Sequence, residues 1–387
     1  MFTRFNPARR FLKGAASALA LLGLSACIEG TGPTISTSNP VPVALLVPAG
    51  SSDSGEALIA QSLENAARLA IADLDGVKID LRVYATKGNA DVAAQAAQQA
   101  VSEGAKIILG PLHAESANAV GKAVAGKGIN VLSFSNNAAI AGGNVFILGS
   151  TFENTANRLV KYAASQGKRN VLVVHSNNVP GQVGRNAINA ALNGSTAISA
   201  GTVGYEFSQQ GVISAIDEIK TAATDGNADA IFMTASTSGA LPLFSQMLPE
   251  AGLDPQTVQY IGLTRWDLPS QTLSLPGVQG AWFARPDAQL NRAYLDRYAQ
   301  AYGGLPHNLS GLAYDGIAAI GALVKAGKSN ALTTTALTQG AGFQGVNGIF
   351  RLRANGTNER GLAVVTIRDR QVVTLDPAPQ SFGGFGF

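Results

Sequence analysis

The sequence is poor in the residues that build disulfides, metal sites and highly charged surfaces. Its 387 residues include one cysteine and three histidines, and only 14% are Asp, Glu, Lys or Arg. One cysteine cannot form an internal disulfide. His113, His175 and His307 are too widely spaced for a structural zinc site. We therefore predict a fold that depends on neither a disulfide nor a metal, and no cofactor.

Motifs for catalysis and nucleotide binding are also missing. The sequence contains no Gly-x-Ser-x-Gly elbow, and no Gly-x-Gly-x-x-Gly follows the first predicted strand, residues 43–47. Ala326-Gly327-Lys328-Ser329 has the end of a phosphate-binding loop, but Ala322 stands where that motif needs glycine. The run also ends a predicted helix instead of following a strand. We predict that the chain is not an enzyme and has no catalytic residues.

The composition is that of a protein with packed cores. The apolar share is 46% and the mean hydropathy is +0.14, which rules out a wholly disordered chain. At 387 residues the chain suits two lobes of about 100–200 residues each.

The first 26 residues have the features of a secretory signal peptide. A basic start without acids precedes a short apolar run at 14–24, which cannot span a bilayer. The basic residues are Arg4, Arg9, Arg10 and Lys13. The following Leu24-Ser25-Ala26-Cys27 resembles the bacterial lipobox, which implies cleavage before Cys27 and lipidation of that residue. The alternative is an ordinary signal peptide with a chance cysteine at this place.

Two further features concern export and sorting. Arg9-Arg10-Phe11-Leu12-Lys13 resembles a twin-arginine signal, although general secretion remains open because phenylalanine follows the arginines directly. Ile28 follows the cysteine, and the sorting rule of Gram-negative lipoproteins then implies the outer membrane. The expected location is the periplasmic face of the envelope. Residues 27–42 are rich in Gly, Pro, Ser and Thr, and we predict a flexible tether.

The positive charge of the chain belongs to the signal peptide. The formal net charge of +3 comes from 28 basic and 25 acidic residues, and removal of the four basic residues of the signal leaves a net of −1. With no basic stripe, we predict no nucleic-acid partner.

Strands and helices alternate along the rest of the chain. Predicted strands include residues 43–47, 79–85, 106–109, 130–133, 170–175, 203–207, 229–233 and 258–262. Helical spacing marks 54–75, with Ser54 as its cap, and 90–103, 114–127, 153–166, 181–192, 212–225, 239–247, 288–302 and 312–326. Two strands, 348–352 and 362–368, follow with a turn at 355–358 between them. This alternation predicts an α/β fold with two doubly wound parallel-sheet lobes.

The order of motifs resembles the type I periplasmic solute-binding proteins, in particular the leucine/isoleucine/valine-binding family. The resemblance covers residues 41–376 and is carried by Ile107-Ile108-Leu109-Gly110-Pro111-Leu112, Val131-Leu132-Ser133-Phe134-Ser135-Asn136, Ala313-Tyr314-Asp315-Gly316 and Phe343-Gln344-Gly345-Val346-Asn347-Gly348. It implies two lobes joined by a hinge of three crossings. The predicted division is lobe I at 41–150 and 281–340, lobe II at 151–280 and 341–376, and a tail at 377–387.

Ligands in such folds lie beyond the carboxyl ends of the strands, next to helix N-termini, and hinge motion closes the cleft around them. The candidate contacts are therefore the polar residues of strand-end loops: Ser51, Ser52, His113, Glu115, Ser116, Ser133, Ser135, Asn136, Asn178, Ser236, Arg265, Trp266 and Asp267. Serine and asparagine at these places also serve as turn formers or caps. For Arg265-Trp266-Asp267 the other reading is packing between lobes, and for Tyr314-Asp315 and His175 a structural role is favoured.

Two features depart from the amino-acid binders of the family. Val179-Pro180-Gly181 stands where those proteins have Tyr-Gly, and residues 234–238 contain neither an acid nor a tyrosine. A buried ammonium group without a counter-charge is costly. Glu115 or Asp267 is the candidate substitute for the missing acid.

Two functions follow from these features. The first is a lipid-anchored receptor that captures a small amino-acid-like ligand in the interlobe cleft for an ABC transporter. The second is a regulator of cell-wall synthesis, because Ser133–Asn137 and Gly262–Asp267 are similar to stretches of the penicillin-binding-protein activators. Those lipoproteins stimulate peptidoglycan synthases by protein contact.

Overall fold

The computed structural model describes residues 32–382. The predicted signal peptide and Cys27 lie outside this range. Among the described residues, no helix is both long and apolar enough to cross a membrane.

The first part of lobe I alternates strands with helices. Its elements are β1 (Val41–Val47), α1 (Ser54–Ala72), β2 (Ile79–Ala85), α2 (Ala90–Ser102), β3 (Ile107–Leu109), α3 (Ala114–Val124), β4 (Val131–Ser133) and β5 (Val145–Ile147). The strands form a parallel sheet in the order β2-β1-β3-β4-β5.

Strand β1 shows why this sheet carries helices on both faces. Val43 and Leu45 point into a core shared with α1, whereas Ala44 and Leu46 point into a core shared with α2 and α3. Successive side chains of a strand alternate between faces, so a continuous apolar run is buried on both sides.

Lobe II repeats this architecture with a larger sheet. Its elements are α4 (Phe152–Ser165), β6 (Asn170–Ser176), α5 (Val179–Asn193), β7 (Ile198–Tyr205), α6 (Gln209–Asp225), β8 (Ala230–Met233), α7 (Leu241–Glu250), β9 (Gln259–Gly262) and β10 (Trp282–Arg285). Helices α4 and α5 contribute to the core on one face, and α6 and α7 to the core on the other.

The rest of the chain returns to lobe I and then completes lobe II. The returning elements are α8 (Ala288–Tyr302), α9 (Gly311–Lys325), α10 (Thr334–Leu337), β11 (Phe343–Gly345), β12 (Gly348–Leu352) and β13 (Asn358–Arg360), and the last two strands are β14 (Ala363–Arg368) and β15 (Gln371–Asp376). The lobe II sheet has the order β15-β14-β10-β9-β8-β6-β7, in which β14 and β15 are antiparallel. The chain thus crosses between lobes at residues 148–151, 286–287 and 361–362.

The fold class is confirmed, whereas two lobe boundaries differ from prediction. Strand β10 pairs with β9, so lobe I resumes after Arg285 and not at residue 281. Strands β11 to β13 form a small antiparallel sheet, and Phe343 and Phe350 pack into the lobe I core, so the final part of lobe II starts near residue 361 and not at 341. The periodicity of β10 was missed because the strand has only four residues.

Two local predictions also need correction. The N-cap of α1 is Asp53, whose carboxylate accepts a hydrogen bond from the Gly55 amide, and not Ser54. The predicted tether is docked over its described part, since Ile35 is buried against lobe I and its amide donates to the Ser329 carbonyl at 2.8 Å. The sequence does contain an indication of this docking, because Ile35 is a large apolar residue among small polar ones.

Candidate functional site

A cavity of about 760 Å³ lies between the two lobes. Lobe I lines it with the loops that follow β3 and β4, and lobe II with the loops that follow β9 and β10. The crossings at 149–151 and 286 and the hinge residue Arg360 also line it. This place and size suit a small-molecule site in an open α/β fold.

The lobe I wall is held rigid by hydrogen bonds between its two loops. The Ser133 hydroxyl donates to the Pro111 carbonyl and accepts from the Ser135 amide, both at 3.1 Å. The Ser135 hydroxyl accepts from the Asn137 amide at 3.1 Å, so its own proton remains available for a ligand. Ser133 itself is fully buried and does not line the cavity.

The same wall includes the N-terminus of α3. His113 is the N-cap, and its side chain makes no capping hydrogen bond; its Nε2 lies 2.6 Å from Glu56 Oε1 instead. The first-turn amides of a helix have no partner within the helix and carry partial positive charge. Leu112, His113 and Ala114 face the cavity, so this end of α3 is a favourable place for an anion.

The lobe II wall is dominated by two arginines and one buried carboxylate. Arg265 makes a bidentate pair with Asp267, with Nε to Oδ1 at 2.9 Å and Nη2 to Oδ2 at 2.6 Å. Arg285 Nη1 lies 3.7 Å from the same Oδ2. Burial lowers the pKa of the Arg285 guanidinium, and the negative charge of Asp267 acts in the opposite direction.

Trp266 anchors this wall from behind. Its ring is fully buried, and Nε1 donates to the Ala235 carbonyl at 3.1 Å. The indole lies against Gly262, where any Cβ would overlap it. The buried indole fixes the loop after β9, on which Arg265 lines the cavity.

The hinge contributes a second buried ion pair. Arg360 Nη1 donates to Asp315 Oδ2 at 2.9 Å, and Nε and Nη2 donate to the Leu148 carbonyl at 2.9 and 2.5 Å. Asp315 Oδ1 accepts from the Val346 amide at 2.8 Å. These bonds connect α9 with two of the chain segments that lead to crossings, which agrees with the structural role favoured for Asp315.

The structure brings four of the predicted contacts to the cavity lining: His113, Ser135, Asn136 and Arg265. The others do not line it: Ser51, Ser52, Glu115, Ser116, Ser133, Asn178, Ser236, Trp266 and Asp267. Asn178 is the N-cap of α5, and Ser116 is buried in α3. Asp267 is covered by the arginines with which it pairs.

Several lining residues were missed by sequence reasoning. Arg285 and Arg360 are the most important, because they carry charge, and Tyr294 and Ser310 join across α8 and α9 through a 2.6 Å hydrogen bond. Arg285 could have been found, since Trp282-Phe283-Ala284-Arg285-Pro286 is an apolar run that ends in a charge and a proline. Arg360 offers no comparable local signal.

The comparisons agree with this architecture. A family model for periplasmic binding proteins matches residues 40–371. A search of curated protein sequences finds no match. Among solved structures, a protein from Rhodospirillum rubrum assigned to a branched-chain amino acid ABC transporter has a TM-score of 0.74 and 16% identity, covering 87% of this chain and 100% of its own.

Two other similar structures hold ligands. An ABC transporter substrate-binding protein from Desulfitobacterium hafniense in complex with leucine has a TM-score of 0.62 and 16% identity, covering 87% of this chain and 100% of its own. A solute-binding protein from Rhodopseudomonas palustris BisB5 in complex with 3,4-dihydroxybenzoic acid has a TM-score of 0.58 and 17% identity, covering 88% and 98%. Together with the family match over most of its length, these likenesses show that the chain belongs to the periplasmic binding protein family and has its type I fold.

Proposed function

We propose that the protein is a receptor that captures a small carboxylate-bearing solute, of which an amino-acid-like molecule is one kind, and delivers it to an ABC transporter. The observation that carries this proposal is the cavity of about 760 Å³ between the lobes, lined by hydrogen-bond donors and arginines next to the hinge. The leucine and dihydroxybenzoic acid held by two similar folds both contain a carboxylate, which supports the same class here.

A thermal-shift screen followed by calorimetry tests this function. The panel contains amino acids, small organic acids and peptidoglycan fragments. A ligand at a hundred times its Kd stabilises the folded state by about 2.7 kcal/mol, so a true ligand raises the melting temperature clearly. Asn136→Trp should fill the cavity mouth and abolish the shift, whereas Asn186→Trp, on the exposed face of α5, should not. A shift that persists in Asn136→Trp contradicts the assignment of the site.

We also propose that Cys27 is lipidated and anchors the protein to the outer membrane. The support is the lipobox-like Leu24-Ser25-Ala26-Cys27, since several acyl chains hold a protein far more firmly than one. Cys27→Ser should release the protein into the soluble periplasmic fraction, and Ile28→Asp should move it to the inner membrane in a density gradient. Membrane retention of Cys27→Ser contradicts the anchor.

The second candidate function is contact-based regulation of a peptidoglycan synthase. It is supported by large apolar side chains exposed on lobe II, with Val179 at 74% and Phe207 at 59% exposure, because exposed apolar surface often marks protein contacts. Capture of a synthase that is lost in Val179→Asp and Phe207→Asp, together with no ligand-induced shift, favours this function over solute capture.

A further inference from the structure

We infer that the cleft selects a small organic acid that carries no ammonium group, and that Arg285 is the residue that pairs with its carboxylate. This inference rests on the proposed solute-binding function and names its ligand class. The inference is based on which charged side chains around the cavity have a partner of opposite charge and which do not.

Arg285 is the cleft arginine that lacks a full partner within the described residues. Asp267 gives both of its oxygens to Arg265 in a bidentate pair and reaches Arg285 at only 3.7 Å. No hydrogen bond of the Arg285 side chain occurs among the described residues, although only 22% of that side chain is exposed. A largely buried guanidinium whose donors make no hydrogen bond is a strong site for a carboxylate, which accepts bidentate bonds.

The other charges of the cleft cancel in pairs. Arg360 is matched by Asp315 at 2.9 Å, and Arg265 is matched by Asp267 at 2.6 Å. The positive charge of Arg285 is offset only through space by Asp267 at 3.7 Å and by Asp287, and neither carboxylate accepts a hydrogen bond from it among the described residues. A ligand carboxylate restores the balance and recovers part of the cost of desolvating that arginine.

The described lining of the cavity contains no carboxylate that could pair with an ammonium group. None of the described residues that line it is Asp or Glu. The acids nearby lie outside the lining: Asp287 accepts from two amides at the start of α8, and Asp267 pairs with its arginines. Glu56 contacts His113 through Oε1, and its buried Oε2 has no hydrogen-bond partner among the described residues. Glu115 is exposed on α3 outside the lining. The ammonium group of an amino acid would find neutral acceptors in the lining but no counter-charge, and burying a charge without one is costly.

Lobe I completes the site with neutral donors. The Ser135 hydroxyl and the uncapped start of α3 face the same cavity as Arg285. Closure of the lobes would bring these donors and the guanidinium to one ligand from opposite sides. Leu263, Leu295 and Leu312 also line the cavity and provide apolar surface for the body of the acid.

Calorimetry with matched ligands tests the inference. The probes are 4-methylpentanoate and benzoate, compared with leucine, which adds the ammonium group, and with 4-methylpentanamide and benzamide, which remove the charge. We expect at least one acid to bind about tenfold or more tightly than its matched amide and than leucine. Arg285→Gln should weaken that acid by about 10- to 100-fold, and Arg368→Gln, an exposed arginine outside the cavity, should not change it.

Asp267→Asn tests whether the Asp267 carboxylate only restrains the two arginines or also binds the ammonium group of a ligand. If Asp267 only restrains the arginines, its neutralisation should leave the affinity for the acid unchanged or raise it, with folding checked by circular dichroism. Tighter binding of leucine than of the acids, weakened by Asp267→Asn, overturns the inference and leaves solute capture intact. Absence of binding by every probe at millimolar concentration rejects both the inference and the proposed function.

Discussion

Replacing Arg360 by methionine should destabilise the protein strongly, because it leaves a carboxylate alone in the hinge. The Arg360 and Asp315 side chains are only 5% and 0% exposed. The guanidinium donates one hydrogen bond to Asp315 and two to the Leu148 carbonyl. Methionine fills much of the same volume, so the loss reports on charge and hydrogen bonding more than on packing.

The magnitude follows from the asymmetry of buried ion pairs. Removing one partner of such a pair costs about 3–5 kcal/mol, since the remaining charge stays desolvated, whereas replacing both partners costs much less. We therefore expect Arg360→Met to lower the free energy of unfolding by about 3–5 kcal/mol. Combining it with Asp315→Asn, which can still accept from the Val346 amide, should recover a large part of that loss.

Urea denaturation of the single and double variants measures this coupling. The matched control is Lys325→Met, since Lys325 pairs with Asp75 at 3.2 Å on the surface, where Asp75 is 93% exposed. An exposed pair contributes little, so this variant should stay within about 0.5 kcal/mol of the parent. A loss below about 1 kcal/mol in Arg360→Met, or additive effects in the double variant, refutes the reasoning.

The pH dependence provides a second readout. Burial raises the pKa of the Asp315 carboxyl, and the charge of Arg360 opposes that shift. Without Arg360 the folded-state pKa rises further above that of the unfolded chain. A raised folded-state pKa contributes stability at low pH that is lost as the pH rises through it. The deficit of Arg360→Met should thus be smaller at acidic pH than at pH 8, and a deficit that grows on acidification contradicts this account.

Three other predictions concern parts of the fold outside the cleft. Gly110→Ala should cost at least about 2 kcal/mol in urea unfolding, because Gly110 has φ +90° and a Cβ there would overlap the backbone of β1, whereas Gly126→Ala, with open space around it, should be nearly neutral. Burial raises the pKa of Tyr205 to about 12, so the stability that it contributes is present below pH 10 and is lost as the pH rises towards 12; Tyr205→Phe should flatten the fall of unfolding free energy measured between pH 8 and 11. Ile35→Ala should loosen the docked segment at residues 32–40 by about 2 kcal/mol, a factor of about 30 in its opening, and speed its proteolysis accordingly, whereas Ile198→Ala at an exposed position should not.

The elements of the fold were predictable because their signals are local. Helix α8 and strand β12 have the predicted limits, and the strand predicted at residues 43–47 lies within β1. What failed was the assignment of short segments to a lobe. Strand β10 and the small sheet β11 to β13 gain their place from pairing with distant strands, and no periodicity within three to five residues specifies that partner.

In the candidate site, too, the loops could be predicted from the sequence, whereas the direction of individual side chains could not. Ligands of open α/β sheets lie beyond the carboxyl ends of the strands, and the order of strands and helices shows which loops these are. This rule placed His113, Ser135 and Asn136 correctly at the cavity. The rule could not say which polar side chains turn inward. Ser133 ends β4 and Asn178 follows β6, but the Ser133 hydroxyl donates to the Pro111 carbonyl and Asn178 accepts from the Gly181 amide, so neither side chain lines the cavity.

The linear sequence does not show which acid pairs with which arginine of the cleft. Arg265, Arg285 and Arg360 all line one cavity and are chemically identical. Arg265 is neutralised by an acid two residues away, which is visible in the sequence, whereas Arg360 is neutralised by an acid 45 residues away, which is not. Arg285 approaches Asp267 only to 3.7 Å, because Arg265 holds both oxygens of that carboxylate. The electrostatic preference of the cleft thus depends on competition between two arginines for one carboxylate, so Asp267→Asn, which removes no lining residue, should leave the affinity for an acid unchanged or raise it.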